Sequence, residues 1–121
     1  MNKAAPVQAE PEVHVVKSLF SDLPINDQLK RAIAQRGYEH PSDIQAKTIP
    51  HILEGKDVIG LANTGTGKTG AFLIPMIHKM MLDSKQKLLV VTPTRELALQ
   101  IQEEFIALTQ SLRLQAVVAV G

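Results

Sequence analysis

The chain has no cysteine and no tryptophan, and only one tyrosine and three phenylalanines among its 121 residues. Without thiols it is neither a disulfide scaffold nor a thiolate enzyme nor a Cys-ligated zinc protein, and such a composition suits a reducing cytosol. A dominant charge is also lacking, since 13 Lys and Arg stand against 12 Asp and Glu for a formal +1. No bulk field draws the protein to nucleic acid or to a membrane, so any nucleic-acid binding rests on a few placed groups. Long hydrophobic runs are missing as well. The longest, over 70–82, is interrupted by Pro75, His78 and Lys79 and is shorter than the roughly 20 residues a spanning helix needs. Pro6, Glu10, Pro11 and Glu12 break up the segment where a secretory signal would carry its apolar stretch. His14, His40, His51 and His78 share no ligand spacing, which favours packing or surface roles over a metal site. The expectation is a soluble, cytoplasmic protein, with a nuclear or granule location also compatible.

What remains is ordinary globular usage, 45% apolar and 21% charged, at a length that suits one domain. Residues 1–17 mix Ala, Pro, Glu, Gln and Val with neither a helical nor an alternating period and read as a mobile leader. The folded part is expected over 18–121. Pro24 suits a first helical turn, Ile25, Leu29 and Ile33 recur on one face, and Gly37 marks the stop. A second helix is expected from Ser42 as N-cap to Gly55, bent or split at Pro50. A short apolar run over 58–61 then opens into a Gly-rich turn and an apolar helix over 68–82, with a bend at Pro75. Further apolar runs at 88–92 and 116–120 read as strands. Between them a helix over 95–110 shows a stripe of Leu97, Ile101, Phe105 and Leu108. The order β-α-β-α-β, with strands apolar at nearly every position, predicts an α/β fold with a parallel sheet of about three strands and helices on both faces.

The strongest motif is Ala62-Asn63-Thr64-Gly65-Thr66-Gly67-Lys68-Thr69, set between a strand and its helix. Gly65 and Gly67 let the backbone curl so that successive N–H groups face phosphate oxygens, and the helix N-terminus adds its positive dipole end. Lys68 is placed to reach the β- and γ-phosphates of a nucleotide, and the Thr69 hydroxyl to ligate Mg²⁺. The general pattern has Gly where this chain has Ala62. Upstream, Gln45 offers a donor and an acceptor on one carboxamide, the complement of adenine's N6 and N7. Ser42-x-x-Gln45 is equally a capping box, and the two roles are compatible. Phe20 and Tyr38 are candidates to stack on a base beside that amide, or else packing residues. Pro93, Thr94 and Arg95 lie where a strand gives way to a helix, a place that suits a phosphate backbone; Arg95-Glu96 is equally a solvated pair.

Together these motifs resemble the amino-terminal part of a DEAD-box ATP-dependent RNA helicase, a superfamily 2 protein with two RecA-like domains. The family's phosphate loop reads A-x-T-G-[ST]-G-K-T, so Ala62 fits, with Asn63 in place of the more frequent Gln. Residues 37–45, with Phe20 upstream, resemble the Q motif that makes these enzymes adenine-specific, with Tyr38 standing where Phe is more common. Residues 93–98, Pro-Thr-Arg-Glu-Leu-Ala, match motif Ia, which in the family contacts the RNA backbone. The resemblance covers about residues 18–121. It implies ATP and Mg²⁺ at Phe20, Tyr38, Gln45, Thr64, Gly65, Thr66, Gly67, Lys68 and Thr69, and sequence-nonspecific RNA contact at Pro93, Thr94 and Arg95. It further implies that the D-E-A-D and S-A-T motifs and the second RecA-like domain lie beyond this sequence, so that a truncated first domain is expected to bind without hydrolysing. A DNA-directed superfamily 2 motor and a plain nucleotide-binding module remain as alternatives, the former disfavoured by the Q motif and P-T-R-E-L-A.

Overall fold

The computed structural model describes residues 18–62 and 67–119, together with the backbone of 5–8. Helix α1 spans Asp27–Gln35, α2 Asp43–Leu53, α3 Lys68–Leu82 and α4 Arg95–Thr109; strands β1 and β2 are Ala5–Gln8 and Val58–Leu61. A short 3-10 turn, Phe20–Asp22, precedes α1.

Local chemistry sets most of these boundaries. Helix α1 starts later than Pro24 suggests, because Asn26 is its N-cap and its Oδ1 accepts the Gln28 N–H at 2.7 Å. It ends where Gly37 takes φ 83°, a left-handed conformation that costs glycine little. There the Gly37 N–H donates to Ala34 O at 2.9 Å and the Tyr38 N–H to Ile33 O at 3.3 Å, the paired bonds of a Schellman stop. Helix α2 ends the same way at Gly55, φ 85°, with Gly55 N–H on Ile52 O and Lys56 N–H on His51 O, both at 3.0 Å. Pro50 and Pro75 sit inside α2 and α3, and neither splits its helix. Pro50 donates nothing to Ala46, yet its own carbonyl accepts the Glu54 N–H at 3.1 Å.

One face of α1, the middle of α3 and the end of α4 enclose the core. Leu29, Ile33, Ile49, Leu73, Ile74, Ile77 and Leu108 are buried to within 1% of full exclusion, with Phe20 and Phe105 beside them. Each such side chain contributes about 1.5–3 kcal/mol of burial. Of the stripe expected on α4, Phe105 and Leu108 are buried, while Leu97 and Ile101 are half-buried. Thr48 and Thr109 are buried too, and each hydroxyl donates to the carbonyl four residues back, Ile44 O at 2.6 Å and Phe105 O at 2.7 Å. Among the described residues no buried side-chain nitrogen or oxygen lacks a partner.

The sheet departs furthest from expectation. Strands β1 and β2 pair in parallel, with Ala5 opposite Val58 and Gln8 opposite Leu61. Four residues of the expected mobile leader are thus a strand; the rest of 1–17 lies outside the described residues. Conversely, 88–92 and the described part of 116–120 form no strand. An extended segment becomes a strand only against a neighbour that takes its N–H and C=O groups, and these segments have none among the described residues. Residues 120 and 121 lie outside the described set. Helix α2 covers β2 closely: a Cβ on Gly60 would stand 3.2 Å from Ile44 Cδ1. Among the described residues, no helix is long and apolar enough to cross a membrane.

Candidate nucleotide site

The site is built where α2 begins beside the start of α3. Ser42 caps α2, and Gln45 closes a capping box: Ser42 Oγ accepts the Gln45 N–H at 3.4 Å, and Gln45 Oε1 accepts the Ser42 N–H at 2.9 Å. The same carboxamide reaches across the chain, Nε2 donating to Gly67 O at 3.0 Å. Gly67 stands at the head of α3 with φ 85° and ψ 22°, and its carbonyl also accepts the Ala71 N–H at 3.1 Å. Gln45 is therefore 8% exposed and bonded at both ends of its amide.

This packing explains two glycines. A Cβ on Gly67 would lie 2.6 Å from Gln45 Nε2 and 2.8 Å from Ser42 Oγ, and one on Gly70 would lie 2.8 Å from Gln45 Nε2. Gly67 also requires its left-handed φ. Gly70 is a site residue that the motif reading passes over. Its signal is a glycine spent in the first turn of an otherwise apolar helix, where it costs stability unless something must approach closely. Lys68 is exposed and Thr69 half-buried at this helix start, where unpaired N–H groups and the dipole favour an anion. Thr64, Gly65 and Thr66 lie outside the described residues.

The two aromatics part company. Phe20 is 4% exposed and packed in the core, with its N–H donated to Glu39 O at 3.1 Å. Core burial fits the packing role that the sequence leaves open for Phe20, and its N–H bond ties it to the 37–45 segment. Tyr38 is 43% exposed. The Arg36 guanidinium lies 5.8 Å from its ring centroid and pairs at 2.6 Å with Glu104 Oε2 of α4. The hydrogen bond and charge of Glu104 raise the Arg36 pKa above its already high ordinary value. His40 Nδ1 lies 3.1 Å from Ser18 O, a second tie between this segment and the chain before α1.

Pro93, Thr94 and Arg95 are all exposed. Thr94 is the N-cap of α4: its Oγ1 accepts the Leu97 N–H at 3.1 Å, and its carbonyl accepts Thr92 Oγ1 at 2.9 Å. The arrangement leaves a second helix N-terminus open to solvent, with a guanidinium beside it. Among the described residues no group of three or more His, Cys, Asp or Glu is placed to hold a metal ion. His78, on α3, accepts the Asn26 N–H on Nδ1 at 3.0 Å, and partial burial holds its pKa below the ordinary 6.5.

A family model described as DEAD/DEAH box helicase matches residues 42–121. The chain belongs to the DEAD/DEAH box helicase family. It is 50% identical over 104 residues to the human probable ATP-dependent RNA helicase DDX47, covering 84% of this chain and 23% of that protein. With the ATP-dependent RNA helicase DeaD of Mycobacterium tuberculosis the identity is 56% over 87 residues, 71% of this chain and 16% of the relative. Among solved structures, the RNA helicase Prp28 of Chaetomium thermophilum bound to ADP superposes with a TM-score of 0.74 at 35% identity, over 80% of this chain and 25% of that one. A DEAD box protein from Methanococcus jannaschii gives 0.68 at 37%, over 77% and 26%. The chain spans at most about a quarter of these relatives' lengths. Its α/β architecture is that of the family's RecA-like domain, present in part.

Proposed function

We propose that this chain supplies the ATP-binding and part of the RNA-binding surface of an ATP-dependent RNA helicase. The observation that carries the reading is the Gln45 carboxamide, which bonds at once to the cap of α2 and to the Gly67 carbonyl heading the Gly-Lys-Thr helix. A base-reading amide and a phosphate-binding helix start are thereby held in one register. The two bonds use one N–H and one lone pair of Gln45, and an amide has two of each. The cap and a paired contact to adenine N6 and N7 are therefore compatible in valence, with Tyr38 the exposed aromatic for the base face.

At the phosphates, Lys68 and the N–H groups at the start of α3 would balance the negative charge, with Thr64, Gly65 and Thr66 completing the loop. Thr69, next to Lys68 in the first helical turn, offers the hydroxyl that would hold Mg²⁺, an ion that would supply Lewis-acid stabilisation of phosphate charge there. At the other helix start, Pro93, Thr94 and Arg95 would grip the RNA backbone without reading bases. Hydrolysis also needs a carboxylate for the metal and a group that positions water, and neither role falls to a residue identified in this chain. Binding without turnover is the expected behaviour of the 121 residues alone.

The test is titration of the chain with Mg²⁺–ATP by calorimetry, with GTP as the control ligand and Lys68→Ala as the control protein. The expected result is binding that prefers ATP and is lost in K68A with an unchanged circular-dichroism melt. Equal affinity for GTP removes the adenine assignment, and undiminished binding by K68A removes the phosphate one.

A further inference from the structure

The adenine assignment leaves Tyr38 with a difficulty. Its backbone is fixed by the N–H bond to Ile33, but a tyrosine side chain that is 43% exposed has rotamer freedom to lose when a base stacks on it. The residue two positions earlier meets that difficulty. Arg36 is the last residue of the α1 stop, and the left-handed turn at Gly37 brings its guanidinium back beside the Tyr38 ring, 5.8 Å from the centroid. An exposed arginine alone would be no firmer than the ring it touches. Here it is tethered: one nitrogen donates to Glu104 Oε2 at 2.6 Å, and Glu104 comes from the third turn of α4, an element anchored in the core through Phe105 and Leu108. The Glu104 side chain is itself only 19% exposed.

We propose that Arg36, held by Glu104, is a positioning residue for the nucleobase that fixes the Tyr38 ring before ATP arrives. The proposal rests on the assignment of Tyr38 to adenine. A planar guanidinium is suited to the task, since its edge can bond a carboxylate while its face meets an aromatic ring; a lysine ammonium has no such division. A ring already ordered loses less freedom on binding, so the gain appears as affinity for the base and leaves the phosphate contacts untouched.

Two ligands separate the possibilities: ATP, and tripolyphosphate, which carries the phosphates without the base. Calorimetry is run on the full 121-residue chain, on Arg36→Ala, Glu104→Ala, their double variant and Arg36→Lys, each checked for an unchanged melt. Arg36→Ala and Glu104→Ala are each expected to weaken ATP about three- to fivefold. The double variant should be no weaker than R36A, because both act through one ring, and R36K should recover part of the loss. Tripolyphosphate affinity should not change in any of them. A parallel loss for both ligands, or no loss of ATP affinity, overturns the positioning role. A wild-type chain that binds ATP no better than tripolyphosphate, or a Tyr38→Ala variant that binds ATP as well as wild type, overturns the adenine assignment itself and this inference with it.

Discussion

The helices of this chain are apolar on one face and the segments 58–61, 88–92 and 116–120 at nearly every position, yet it is the helices that bury their aliphatic side chains. Leu29, Ile33 and Ile77 in the helices are fully excluded from solvent, while Leu89, Val91 and Val117 in the segments read as strands are 85%, 84% and 91% exposed. Ile59 and Leu61 on β2 are about half exposed. A helix satisfies its backbone within itself and needs a neighbour only for one face, whereas a strand needs neighbours for its hydrogen bonds and for both faces. The candidate site is carried by the helices: Gln45, Gly67, Thr69, Thr94 and Glu104 all stand on helices or at their starts.

The sharpest way to break this comparison is to cut the same residue type in a helix and in one of these segments. Leu29→Ala is expected to cost about 2–5 kcal/mol in urea unfolding of the chain. Leu89→Ala should stay within about 0.5 kcal/mol. Equal costs would show that the 88–92 segment is packed in solution. A second test acts at the site itself. Gly70→Ala must displace Gln45 Nε2, 2.8 Å from the new Cβ, so it should lower ATP affinity and also lose stability, against the usual benefit of alanine in a helix. A gain in melting temperature with full ATP binding would mean the carboxamide can move freely. Third, Thr94→Ala removes the N-cap of α4 and is expected to cost about 1 kcal/mol, with Thr94→Asn restoring most of it.

The smallest effect is on pH. His78 has a folded pKa below its unfolded value near 6.5 and accepts a backbone N–H, so the native state holds it neutral. Above that value neither state binds the proton and stability is unaffected. As pH falls below about 6.5 the unfolded chain takes up the proton first, so stability declines until the folded pKa is passed. His78→Gln should flatten that part of the stability profile; an identical slope in the variant would place its origin elsewhere.

Legibility followed the same division. The stripe of Leu97, Ile101, Phe105 and Leu108 places α4 to within a residue, since helical period is written in adjacent turns. Ser42 with Gln45 predicts the capping box for the same reason. The start of α1 is less legible because Pro24 and Asn26 are both admissible openings, and the side-chain bond to Gln28 decides between them. The strand at Ala5–Gln8 shows no alternation, and its partner lies about fifty residues away, so no local pattern reports it. The second bond of Gln45 is hidden for a related reason: its acceptor is a backbone carbonyl, which every residue has. Phe20 shows the limit from the other side, since an aromatic near a motif looks alike in sequence whether its ring packs inward or outward.

The two bonds on Gln45 also make the site a timekeeper. Each time the carboxamide swings away, the Ser42 amide loses its acceptor and becomes open to exchange with solvent deuterium. The Ala71 amide donates to the Gly67 carbonyl through the backbone and does not depend on the carboxamide, so the two protons, one on each helix start, report different openings. Their ratio counts the excursions of a single side chain against the fraying of the helix it touches, and a base that captured the carboxamide would slow one clock while leaving the other alone.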